Sequence, residues 1–229
     1  MRKLNSSSRI HTYQIYLLGL VLLILFGFVK FSRARHREGF HFQNSSLIPS
    51  SKEVSTLLTK EDDEYFYFAY ASDLLESRIH VGGGPSAKFV AIGKVLGRKF
   101  VYSQESKVWK GGVADIVPES ENSAVWGVLY RLKKSDEATM DKQKGINKAD
   151  PLYEKIKINV LVNGQSTPTI ATTYAIVSSK RVKTGVAPSI QYRDCLIRGA
   201  IQQGLPNEYI DFLRKIPDNG STYKRKNVC

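Results

Sequence analysis

Hydrophobic positions follow three regimes along this chain. Residues 13–31 form a nearly uncharged run that is apolar all round, which no amphipathic helix of a soluble core would be. At about 1.5 Å per residue the run reaches across a hydrocarbon layer near 30 Å with slight thinning, so it reads as a transmembrane helix. Tyr13 and Tyr16 at one end, and Phe31 beside Lys30 at the other, suit interfacial anchoring. Ser32-Arg33-Ala34 would also suit a cleaved secretory signal, but the length of the run and the basic cluster after it favour an anchor. Residues 32–63 then show no sustained period: basic residues, serines at 45, 46, 50 and 51, and an acidic run from Glu61. They read as a linker with a short helical turn near residues 54–58.

Beyond residue 63 the pattern becomes that of a folded domain. Residues 65–70 read as a buried strand, and residues 87–102 as a long strand interrupted at Gly93 and Gly97. Residues 113–117 and 124–131 read as two more strands, joined by a polar turn into the start of a meander. Ser135 can cap a helix with Asp136 and Glu137 in its first turn and Gly145 at its end. Residues 154–162 alternate, Asn163-Gly164 offers a hairpin turn, and residues 167–177 return as the partner strand. Residues 189–203 read as a helix stopped by Gly204, and Pro206 opens a last helix to residue 215. Bent strands with helices inserted late predict an α+β domain, a small mixed or antiparallel β-barrel flanked by helices. The organisation is a basic tail at 1–12, an anchor at 13–31, a linker at 32–63, the domain at 64–216 and a polar basic tail at 217–229.

A chain of 229 residues, 42% apolar and 24% charged, can bury one core. Its net charge of +13 is spread over the N-terminal flanks, Lys180, Arg181 and Lys183, and the tail 224–226, without a basic stripe interleaved with aromatics, so no nucleic-acid partner is expected. The two cysteines, Cys195 in an apparent helix and Cys229 in a polar tail, suggest neither a disulfide framework nor a metal site. Cys229 reads as an exposed thiol, since prenylation needs a cysteine four residues from the end and position 226 is lysine. Basic residues flank the apolar run almost equally, so orientation is a near tie. Asn44-Ser45-Ser46 and Asn219-Gly220-Ser221 are glycosylation-type triplets that would be available in a lumen. The lack of an expected cysteine pair favours a cytosolic domain.

Tyr65 to Tyr70 stops at the turn Ala71-Ser72-Asp73, a place where backbone amides can hold an anionic group. This stretch resembles the signature of the gamma-glutamylcyclotransferases, Tyr-Phe-Ala-Tyr-Gly-Ser-Asn-Leu, with Ala71 for its glycine and Asp73 for its asparagine. Arg78-Ile79-His80, Pro85-Ser86-Ala87, Trp109-Lys110-Gly111-Gly112, Val125-Trp126-Gly127-Val128 and the block from Tyr192 to Tyr209 are similar to later family motifs, in order. Gly82-Gly83-Gly84 lacks the context of a phosphate loop. The resemblance implies the barrel fold, cytosolic placement, homodimerisation, no cofactor or metal, and a small γ-glutamyl amino acid as substrate. The α-amine of that substrate attacks its own γ-carbonyl to give 5-oxoproline and a free amino acid.

That reaction needs donors for a developing oxyanion and a base for the α-ammonium. By resemblance, Tyr67, Phe68, Ala69, Tyr70, Ala71 and Ser72 form the binding turn and Tyr192 a wall of the pocket; for the side chains of Tyr67, Phe68 and Tyr70, core packing is an equal explanation. The family's catalytic glutamate falls at Lys144, in Asp141-Lys142-Gln143-Lys144-Gly145. A lysine is cationic at neutral pH and would repel the substrate ammonium. Either burial strips its proton, or Asp141, Glu154 or Asp73 serves as base; otherwise Lys144 pairs with Asp141 on an exposed helix face. His80 is either a proton shuttle or a structural polar residue. Three readings stay open: a cyclotransferase with a replaced base, a membrane-anchored pseudoenzyme binding γ-glutamyl or acidic ligands, and an interaction platform.

Overall fold

A computed structural model describes residues 51–163, 165–182, 185–222 and 229, within a unit running from Ser46 to Cys229. The apolar run at residues 13–31, and the anchor read from it, lie outside the described residues. Among the described residues no helix is long and apolar enough to cross a membrane.

After a short helix α1 (Ser51–Leu57), strand β1 (Glu64–Ala69) is buried at every residue but its first. A continuous aromatic run does this when a strand is covered on both faces. β1 pairs antiparallel with β5 (Ala124–Lys133), from Glu64 opposite Lys133 to Ala69 opposite Val128. β5 pairs with β2 (Lys88–Leu96), β2 with β6 (Tyr153–Val162), and β6 with β7 (Thr169–Ile176). A parallel contact of Tyr67 with Thr172 closes the order β1-β5-β2-β6-β7 into a barrel. The expected α+β barrel is therefore present.

The expected long strand divides at Gly97, whose φ of +68° strongly favours glycine, into β2 and β3 (Arg98–Ser106). β3 pairs with β4 (Gly111–Pro118) in a separate two-stranded sheet. β4 and β5 thus form no meander; β5 turns to β1 and β2 instead. The β2 irregularity falls between Phe89 and Ala91 rather than at Gly93. The β6–β7 ladder ends at Val160 opposite Thr169, short of the register that a two-residue turn at Asn163-Gly164 would give, while Leu161 and Val162 pair with β2.

Helices α2 (Glu76–Val81), α3 (Glu137–Lys144), α4 (Ile190–Gln202) and α5 (Asn207–Lys215) complete the domain. Ser189 caps α4 by accepting from the Tyr192 amide at 3.3 Å. Ser135 does not cap α3; it lies in a 3-10 turn, Lys134–Asp136, and Asp136 instead accepts from the Ser86 amide and hydroxyl at 2.9 and 2.5 Å. Gly199 lets α4 lie directly on the chain leaving β1, since a Cβ there would sit 2.5 Å from the Leu75 amide nitrogen. Fully buried Phe68, Leu74, Ile79, Met140 and Leu196 fill the core around that contact.

Cys229 is not the free thiol expected. It is disulfide-bonded to fully buried Cys195, 34 residues earlier, with Cα atoms 5.4 Å apart. The bond ties the C-terminal segment to α4, and the Cys229 carbonyl also accepts from Arg198 at 2.7 Å. Closing a loop of this length constrains the unfolded chain and typically contributes about 2–4 kcal/mol. Cys229→Ser is therefore expected to lower the unfolding free energy by about that amount in urea titrations, and the difference should shrink when both proteins are unfolded in reductant.

Candidate functional site

β1 delivers the chain to a sharp turn. After Ala71 (φ −118°, ψ −141°) a single 3-10 turn, Ser72–Leu74, follows with all its residues buried. The first amides of such a turn have no acceptor within it and are available to an anion. The Tyr70 hydroxyl donates to the Tyr174 carbonyl at 2.7 Å, and the Tyr130 hydroxyl to the Leu74 carbonyl at 3.4 Å, fixing the turn against β7 and β5.

Asp73, 2% exposed, is the charged centre of this turn. Its Oδ2 accepts from the Tyr67 hydroxyl at 2.7 Å and from the Lys144 ammonium at 2.7 Å. Its Oδ1 is buried and has no hydrogen-bond partner among the described residues. Burial by itself would raise the Asp73 pKa, but the Lys144 charge, the hydrogen bonds from Lys144 and Tyr67, and the Arg78 charge outweigh it and hold the carboxyl below its ordinary value. Burial, reinforced by the Asp73 charge, pushes the Tyr67 phenol well up, so it remains a donor.

Lys144 comes from the last turn of α3, which Gly145 ends. The expected pairing with Asp141 does not form. Asp141 instead accepts from the Tyr174 hydroxyl and from Lys155, each at 2.7 Å. Lys144 is thereby left to reach across to the turn, with its ammonium 5.7 Å from the Tyr174 ring centroid.

These groups line a cavity of about 670 Å³. Tyr67, Tyr70, Ala71, Ser72, Lys144 and Tyr192 all line it. Phe68 and Ala69 do not. Side chains alternate along a strand, so with Tyr67 turned to the cavity Phe68 points into the core, beside Gly127 of β5. Of the three substitute carboxylates, Asp73 lies in the cavity, whereas Glu154 is exposed on β6 and Asp141 is engaged outside the lining. His80 is exposed and contacts the Ala87 carbonyl at 3.2 Å, the structural role of its two readings.

The sequence reading missed Arg78, Trp109 and Tyr174 as lining residues. Arg78 lies 5.5 Å from the Trp109 ring, and Trp109 packs against Tyr192 with centroids 4.5 Å apart, forming one wall. The first two sit in motifs already matched, Arg-Ile-His and Trp-Lys-Gly-Gly, which was a usable signal; Tyr174 carried none.

A turn that presents amides beside a buried carboxylate, at the mouth of a small barrel, defines a pocket for a small charged molecule. A family model described as AIG2-like matches residues 124–213. The chain is 32% identical to the gamma-glutamylcyclotransferase of Bos taurus over 174 residues, 74% of this chain and 87% of the relative. It is 30% identical to that of Homo sapiens over 168 residues, 72% and 85%. Among solved structures, a gamma-glutamyl cyclotransferase superposes with a TM-score of 0.64 at 30% identity, covering 70% of this chain and 92% of that one. The chain belongs to the gamma-glutamylcyclotransferase family.

Removing one member of a buried ion pair strands the other, typically at about 3–5 kcal/mol. Lys144 keeps 18% of its side chain exposed, which places Asp73→Asn near the lower end, about 3 kcal/mol. Because the folded pKa of Asp73 lies below the ordinary 3.8, its contribution is complete above the ordinary carboxylate range and is lost as pH falls through the folded value. Chemical denaturation across pH should therefore show a constant gap between wild type and Asp73→Asn above about pH 5, closing in stronger acid.

Proposed function

We propose that the protein is a cyclotransferase for γ-glutamyl amino acids in which Asp73 takes the place of the family's glutamate as base. The observation that carries this reading is the cavity-lining Asp73 carboxylate, held ionised by Lys144, whose Oδ1 is buried without a hydrogen-bond partner among the described residues. The two departures from the family pattern compensate each other: where asparagine and glutamate are expected, the chain has aspartate and lysine, and the pocket keeps a carboxylate.

The chemistry follows from that arrangement. Asp73 Oδ1 accepts a proton from the substrate α-ammonium, and the freed amine attacks the γ-carbonyl carbon. The oxyanion forms against the amides of the turn at Ser72, a preorganised donor set. Asp73 then returns that proton to the leaving nitrogen, the original amide C–N bond breaks, the ring nitrogen gives up its second proton to the departing amine, and 5-oxoproline and the amino acid depart. Tyr67 and Lys144 hold Oδ2 and so aim Oδ1; Lys144 also offsets the carboxylate charge. The apolar run at residues 13–31 supports a membrane-attached form of this enzyme.

A second reading, binding without turnover, is favoured by one observation: Lys144 neutralises the carboxylate and depresses its pKa, which weakens it as a base. The two separate in one experiment, chromatographic detection of 5-oxoproline from γ-glutamyl-alanine beside calorimetric binding of the same compound. The enzyme reading expects product, with Ser72→Ala reduced and Asp73→Asn lowered by about 10²–10⁴-fold. Binding heat without product in the wild type would establish the second reading. Since the ionised Asp73 is the active form and its pKa is depressed, the acid limb of kcat/KM is expected below the ordinary 3.8.

A further inference from the structure

The C-terminal segment after α5 is held at several points. Arg193 pairs with Asp218 at 2.5 Å, the Asn219 amide donates to the Pro188 carbonyl at 2.9 Å, and the Ile190 amide donates to the Ser221 carbonyl at 3.2 Å. The Cys195–Cys229 disulfide secures its far end. Disulfides of this structural kind form and persist in oxidising compartments and are rare where thiols are kept reduced. The same segment carries Asn219-Gly220-Ser221, an acceptor triplet without proline at its centre, with Asn219 exposed to solvent.

We propose that Asn219 is an N-glycosylation site and that the domain matures in an oxidising lumen, the opposite side from the cytosolic placement the sequence favoured. Two independent features agree on this: the disulfide specifies the compartment, and the exposed triplet is the substrate which that compartment modifies. The Asn219 Nδ2 nitrogen bonds to the anomeric carbon of an oligosaccharide and loses one hydrogen as a proton, and the lipid diphosphate that carried the sugar leaves. The hydrogen bonds of the folded side chain are compatible with the product. Asn219 Nδ2 donates one hydrogen to the Lys110 carbonyl at 2.8 Å, and a glycosylated asparagine keeps one N–H for that bond. Its Oδ1 still accepts from the Ser221 amide, at 2.9 Å. The inference does not depend on the cyclotransferase reading.

The test uses the full chain, expressed with its own N terminus in an animal cell line and carrying Asn44→Gln to remove the other triplet that follows the apolar run. Digestion with an endoglycosidase that cleaves at asparagine should increase gel mobility by one glycan, and peptide mass should show Asn219 converted to aspartate. Ser221→Ala, which leaves the Asn219 side chain and its backbone partners in place, should abolish the shift, while Ser221→Thr should preserve it. A thiol-reactive probe added during denaturation should label Cys195 and Cys229 only after reduction. Unchanged mobility of the Asn44→Gln chain, or labelling of both thiols before reduction, overturns the proposal.

Discussion

A carboxylate taken out of water must be given a counter-charge and hydrogen bonds or it loses its ionisation. Asp73 receives both, from Lys144 and Tyr67, and the local architecture is arranged around meeting that need. β1 supplies Tyr67 and then turns; Gly199 allows α4 to press the turn inward; α3 ends at Gly145 with its last side chain directed at the turn. The Lys144 and Gly199 contacts join segments far apart in sequence, and with the local bond from Tyr67 they bring the pair to the wall of one cavity.

The pair also explains why Lys144 and its neighbours sort as they do. Asp141, the nearer carboxylate in sequence, is taken by Tyr174 and Lys155, which frees the Lys144 ammonium for the buried site. An exposed pair on one helix contributes only a few tenths of a kcal/mol. The observed pair is more demanding, because breaking it leaves a charge with little solvent to fall back on.

Much of the fold was legible because its signals are local. The aromatic run from Tyr65 gave a buried strand, residues 189–203 a helix, and Gly204 with Pro206 the boundary between α4 and α5. Strand partnership was not legible: residues 113–117 and 124–131 are adjacent in sequence yet fall in different sheets, because Gly97 redirects the chain and non-local pairing decides the rest. Of the residues that the family motifs suggested, Tyr67, Tyr70, Ala71, Ser72 and Tyr192 line the cavity, whereas strand alternation turns Phe68 into the core. The Asp73–Lys144 pair spans 71 residues. It could have been suspected from the two departures from the family pattern, since one adds a negative charge and the other exchanges negative for positive. The disulfide could not, since two cysteines with unlike surroundings give no spacing signal.

The central claim, that Asp73 and Lys144 exchange charge roles with the family's asparagine and glutamate, is tested most directly by a double-mutant cycle on 5-oxoproline release from γ-glutamyl-alanine. The account predicts that the wild type is active, that Asp73→Asn and Lys144→Glu are each impaired, and that the double variant recovers activity because it restores one carboxylate to the pocket. A silent wild type with an active double variant would contradict it, showing that the pair disarms the pocket.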